Sequence, residues 1–133
     1  LKGLSTAELH DKMPVWNDVL TASVEERAKA YLDANCAHCH SAQGSAKNSG
    51  LYLNYHENDQ RKRGVFKPPI AAGKGSGDHQ YDIVPGKPEE SIFMYRMKSN
   101  DPAIRMPEIG RSIAHTEGLN LLERYIEELA QNK

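Results

Sequence analysis

Three stretches of this 133-residue sequence repeat apolar residues at helical spacing, and the chain between them is dominated by glycine, proline and small polar residues. The sequence therefore predicts a helical domain with long irregular connections. Its length suits one hydrophobic core. At 38% hydrophobic and only 7% aromatic residues, however, it is lean in the large side chains that fill a core, and something else is expected to occupy part of the interior.

Residues 1–22, including Met13-Pro14-Val15-Trp16-Asn17-Asp18, show no sustained helical period and read as an arm or a linker from an upstream module, anchored by Trp16. The domain proper is expected to span 23–133. Ser23 offers an N-cap and Glu26 completes a capping box, so the first helix starts here. Val24, Ala28, Tyr31 and Leu32 form its apolar stripe, and the helix delivers Cys36 at its end.

From Ser41 to Gly77 the chain reads as loop, relieved only by Leu51-Tyr52-Leu53. A segment this long and irregular is expected to be functional or to wrap something. A second helix is expected from Pro88, harmless at a first helical position, to about Lys98, burying Ile92, Tyr95 and either Met94 or Phe93. Pro107 disfavours helix at Met106, which places that methionine on a loop. A last helix from about Thr116 to Gln131 aligns Leu119, Leu122, Ile126 and Leu129.

Lys and Arg (17) nearly balance Asp and Glu (18), which gives no footprint for nucleic acid or for an anionic membrane surface. No apolar run approaches the roughly 20 residues of a membrane span. The start, Leu1-Lys2-Gly3-Leu4, lacks the apolar region of a secretory signal, and the chain reads as a mature or excised domain. The two cysteines lie too close together to staple distant parts of a fold, so they serve a local purpose.

That purpose is read from Cys36-Ala37-His38-Cys39-His40. Cys-x-x-Cys-His is the spacing of covalent haem attachment: two thiols add to the two vinyl groups and the adjoining histidine reaches the iron. One rival is a thiol-disulfide pair, which ordinarily lies at a helix start, whereas this motif follows a helix. The other is zinc, for which a second cysteine pair is missing.

The iron then needs a sixth ligand or an open position. Met94 and Met97 lie within an amphipathic helix and read as core gap-fillers. His38 shares the proximal side with the cysteines, while His10, His56, His79 and His115 are expected to be solvated or hydrogen-bonded. Met13 precedes the first helix. Met106, on a loop stiffened by Pro107, is the preferred distal ligand.

With its N-terminal helix feeding Cys36-x-x-Cys39-His40, its loop bearing Met106-Pro107 and its C-terminal helix, the chain resembles the class I c-type cytochromes over about Val24 to Ala130. The resemblance implies an all-α, cytochrome c-like fold with first and last helices packed together. It implies one haem c, covalent through Cys36 and Cys39, and iron held by His40 and Met106. Through Tyr81-Asp82-Ile83-Val84-Pro85-Gly86 and Arg105-Met106-Pro107-Glu108-Ile109-Gly110-Arg111-Ser112 the chain is also similar to cytochrome domains of modular secreted bacterial redox proteins.

The expected function is one-electron transfer rather than enzymatic catalysis, in a periplasmic or extracellular bacterial setting. The partners would be redox proteins, such as a copper-dependent polysaccharide monooxygenase, docking at an exposed haem edge, with no nucleic acid, no membrane insertion and a monomer favoured. Weak redox complexes bury under about 1,200 Å², and Ala37 and Pro107 are expected in that rim. Tyr52, Tyr55, Arg61, Lys67, Lys74 and Tyr81 are candidates to pair with the haem carboxylates. Two other classes compete: a haem enzyme or gas sensor with an open or histidine-ligated distal site, and a carbohydrate-binding or targeting module that carries a haem.

Overall fold

The computed structural model describes residues 14–20, 22–70, 73–106 and 114–131. Among them are three α-helices, α1 (Val24–Cys36), α2 (Ile92–Lys98) and α3 (Ala114–Leu129), and three short 3-10 turns. Strand pairing among the described residues is limited to two isolated bridges, Val65 with Ile83 and Tyr81 with Ser91. The chain is mostly helical, as the periodicity predicts.

Helix α1 begins as expected. Ser23 Oγ accepts from the Glu26 amide at 3.1 Å and Glu26 Oε1 accepts from the Ser23 amide at 3.1 Å, so each residue satisfies an amide the helix end would leave unpaired. Ala28, Tyr31 and Leu32 are buried, with Val24 packed against the same cluster. On α3 the buried residues are Leu121, Leu122, Tyr125 and Ile126, with Leu119 and Leu129 at the margin.

The two helices share this core, and they come closest at Gly118. A Cβ there would overlap the Tyr31 ring, so a residue without a side chain is what allows the contact. Tyr31 also packs nearly perpendicular to the Trp16 ring, centroids 5.0 Å apart, and Arg27 Nε donates to the Trp16 carbonyl at 2.9 Å. Trp16 thus fastens residues 14–20 to α1, as expected of the arm.

Helix α2 departs from its prediction. Pro88–Glu90 is a separate 3-10 turn, Ser91 is extended (φ −95°, ψ 130°), and the α-helix starts only at Ile92. The cause is non-local. Ser91 Oγ donates to the Lys87 carbonyl and accepts from the Val84 amide, while Ile92 and Phe93 amides donate to Tyr81 and Asp82 carbonyls. The buried side of α2 is Ile92, Met94 and Met97; Tyr95 instead turns to the edge of His79, 5.6 Å away, beneath the 73–79 segment. The last helix also runs two residues earlier at both ends than the sequence predicts, since it spans Ala114–Leu129.

The 41–70 segment is irregular but pinned. Leu51 and Leu53, which flank Tyr52 in the sequence, are both buried in the core. Arg63, 2% exposed, donates to the carbonyls of Asn54 and Glu57. Gly64, at φ 111°, lets the backbone turn against Leu51 and Ile83. No helix among the described residues is long and apolar enough to cross a membrane.

Candidate functional site

Helix α1 ends where the motif begins. The Cys36 carbonyl accepts from the amides of Cys39 (3.1 Å) and His40 (2.8 Å), winding the motif into a tight turn off the helix. Ala37 donates to the Leu32 carbonyl, which continues the helical path and carries its methyl group into the core at 6% exposure. Ala37 is therefore not a rim residue, contrary to the sequence expectation. The following loop lies directly on this turn: the Ala46 amide donates to the Cys39 carbonyl and the Leu53 amide to the His40 carbonyl, both at 2.9 Å. A Cβ at Gly44 would overlap the Cys39 carbonyl, so glycine is required for the approach.

Beside the motif is a cavity of about 590 Å³, lined by Cys36, Cys39 and His40 together with Met97 and Met106. Its size falls in the range of roughly 300–1,000 Å³ typical of cofactor and ligand pockets. Leu32, Leu51, Leu53 and Ile92 give it apolar walls. Met106 is held there by Arg96, whose carbonyl accepts from the Met106 amide at 3.0 Å and whose Nε donates to the Ile104 carbonyl at 2.9 Å. Helix α2 and the 101–106 turn are thereby clipped together.

The structure sorts the other candidate ligands. Met94 is buried in the core, but it does not line the cavity, whereas Met97 does both. His56 is exposed, His79 packs on Tyr95, and His115 Nε2 lies 2.9 Å from the Met97 carbonyl; none of the three lines the cavity. His38 reaches the lining from within the motif turn and is itself exposed. Pro107, His10, Met13 and the Lys74 side chain lie outside the described residues.

No family model, curated protein or solved structure matches this chain. What it can do is read from the cavity and its residues.

Electrostatics separates the chemistries open to the motif. Burial, with a smaller contribution from Cys39, pushes the Cys36 thiol up to about 12. A redox-active pair needs the opposite, a thiol whose pKa is lowered toward neutrality. His40 is held below the usual imidazole value by burial and then by the positive charges of Arg96, His38 and Lys67. The shift favours the neutral imidazole, the ligating form. Among the described residues no three of His, Cys, Asp and Glu form a group able to hold a metal ion.

Three charged side chains that line the cavity complete the site: Lys67, Asp82 and Arg96. Of Tyr52, Tyr55, Arg61, Lys67 and Tyr81, the described side chains expected to meet haem carboxylates, only Lys67 lines the cavity. Tyr52 and Tyr55 lie under Lys62 and Lys29, and Tyr81 packs on Phe66. Arg61 points at the Phe66 carbonyl. Lys67 Nζ sits 3.6 Å from Asp82 Oδ2, with both side chains about nine-tenths buried.

Desolvation raises the Asp82 pKa to about 6, although Lys67 and Arg96 pull the other way. The folded state therefore binds this proton more tightly than the unfolded chain does. The stability that Asp82 contributes is fully present below about pH 4 and is lost as pH rises through about 6. Asp82→Asn removes the titration. In paired urea unfolding at pH 4 and pH 7, the stability of the native chain relative to this variant is expected to fall by up to about 3 kcal/mol with rising pH. A pH-independent difference would contradict the assignment.

Proposed function

We propose that this chain is a mono-haem c-type cytochrome domain, a one-electron carrier whose iron is held by His40 and Met106. One observation carries the reading: one cavity is lined by Cys36, His38, Cys39 and His40 of the attachment motif and by Met106 from far along the chain. The donor set suits the group. Two thiols on one tight turn can form the thioethers, a neutral imidazole and a thioether sulfur can bind the iron, and apolar walls enclose the ring. Lys67 and Arg96 offer cations to the two carboxylates that haem carries.

When bound, haem supplies a one-electron Fe(III)/Fe(II) couple. The residues of this chain do the rest. Leu32, Leu51, Leu53 and Ile92 exclude water from the cavity, and the Arg96 clip holds Met106 in the wall. Ile70 lines the cavity and is nevertheless 54% exposed, which marks an opening beside it. Such an opening is what transient docking with redox protein partners uses. By the resemblance, those partners are a copper-dependent polysaccharide monooxygenase or an outer electron carrier, and the setting is periplasmic or extracellular.

The carbohydrate-binding alternative would use Trp16 and the tyrosines, and Trp16 and Tyr31 are packed against each other with ring centroids 5.0 Å apart. The test is export of the chain in a bacterium equipped for haem attachment. Expected are a mass gain of one haem that survives denaturation and rapid electron exchange with a soluble donor. An exported chain without covalent haem would sink the proposal.

A further inference from the structure

We propose that Ser49 is the positioning residue of His40: its hydroxyl fixes the imidazole tautomer and, through the hydrogen bond it accepts, tunes the iron. The inference rests on the haem reading above. It comes from the proton count at one oxygen atom.

Ser49 Oγ lies 2.8 Å from the Ala46 carbonyl, 3.2 Å from the Leu51 amide nitrogen and 3.2 Å from His40 Nδ1. A carbonyl oxygen can only accept, so the single hydroxyl proton must lie between Oγ and Ala46 O. The Leu51 N–H can only donate, and it takes one lone pair of Oγ. The remaining lone pair faces His40 Nδ1. Two lone pairs would repel at that distance, so Nδ1 carries the proton and donates it to Ser49. The neutral ring then has its free lone pair on Nε2.

The backbone fixes this arrangement from both sides. Lys47–Ser49 is a 3-10 turn whose cap, Gly50, adopts φ 70°, and that left-handed step brings the Leu51 amide round to the hydroxyl. His40 is tied to the same loop through its carbonyl, which accepts from the Leu53 amide. Ser49 itself lines the cavity wall with His40. An acceptor on the second nitrogen of a metal-bound histidine orients the ring and raises its basicity. A more basic imidazole favours Fe(III), so loss of the hydroxyl is expected to favour Fe(II).

The test uses the haem-loaded full chain. For Ser49→Ala, the Fe(II)/Fe(III) ratio at a fixed solution potential is expected to rise about fivefold, the weight of one neutral hydrogen bond. Exchange of the His40 ring N–H with D₂O, read by NMR in the reduced state, is expected to accelerate. Ser49→Thr, which keeps the hydroxyl, is expected to restore both. A Ser49→Ala protein with haem attached but with unchanged potential and unchanged exchange would overturn the proposal.

Should Ser49→Ala fail to fold, the wild-type protein decides. A nuclear Overhauser contact between the His40 Nδ1 proton and the Ser49 Hβ protons supports the bond, and its absence overturns it. Failure of the underlying reading is distinct: wild-type chain would carry no haem at all, which ends both proposals.

Discussion

Met106→Ala is expected to leave the haem covalently attached while abolishing the weak far-red sulfur-to-iron band of the Fe(III) form and lowering the Fe(II)/Fe(III) ratio at fixed potential more than tenfold. A neutral, soft thioether favours the reduced iron, and water or a histidine in its place does not. Met97 is the necessary control because it too lines the cavity. It sits on α2 at 5% exposure and belongs to the core cluster, so its side chain is already engaged by apolar neighbours. Met106 lies outside any helix, is half-buried, and is presented by the Arg96 clip. Met97→Ala should therefore keep the band and lose about 2–5 kcal/mol of stability, as buried methionine truncations do. A band that persists in Met106→Ala and vanishes in Met97→Ala would transfer the distal role to Met97. A band absent from the wild-type protein would favour the open-site haem enzyme or sensor.

What the sequence made legible is what local physics controls. The Ser23–Glu26 capping box and the stripe of Ala28, Tyr31 and Leu32 are set by spacing within one helix, and both are found as predicted. The motif turn is local as well. Ser91 was not legible, because its extended backbone depends on partners at Tyr81 to Val84 that only the fold brings near. The same holds at the cavity. Ser49, Lys67, Asp82 and Arg96 reach it from four different segments, and only Lys67 stood out beforehand, as a cation in a long loop. Nothing in the sequence singles out Arg96. Its role follows from a carbonyl and a guanidinium that close on one downstream turn.

Burial around the motif also accounts for the direction of its titrations. Cys36 is raised and His40 lowered by the same cause, removal of water, because each is pushed toward its neutral form. Asp82 follows the same rule, with Lys67 beside it limiting the rise. Burial thus favours the uncharged forms of Cys36 and His40, while Lys67, Asp82 and Arg96 are the charged side chains of the same wall.

Gly118→Ala is expected to destabilise the domain, although the substitution favours the helix. In an exposed helix interior alanine is preferred to glycine by about 1 kcal/mol. At Gly118 the new Cβ would overlap Cζ, Cε2 and Oη of Tyr31. The ring cannot swing aside easily, being 4% exposed and packed against Trp16. Overpacking of this kind is unfavourable by about 1–3 kcal/mol, sometimes more. The net expected loss is about 1 kcal/mol for alanine and larger for Gly118→Val, which adds bulk and loses helix propensity. Against the 5–15 kcal/mol, roughly, of a typical domain, the valine variant should melt many degrees lower. The contact also carries α1, and with it Cys36 to His40, so the loss should appear as weakened Met106 ligation before global unfolding. A double-mutant cycle isolates the cause. In a Tyr31→Leu background the obstacle is gone, and Gly118→Ala should become neutral or stabilising. Stabilisation by Gly118→Ala in the native background would mean that the two helices do not meet at this residue.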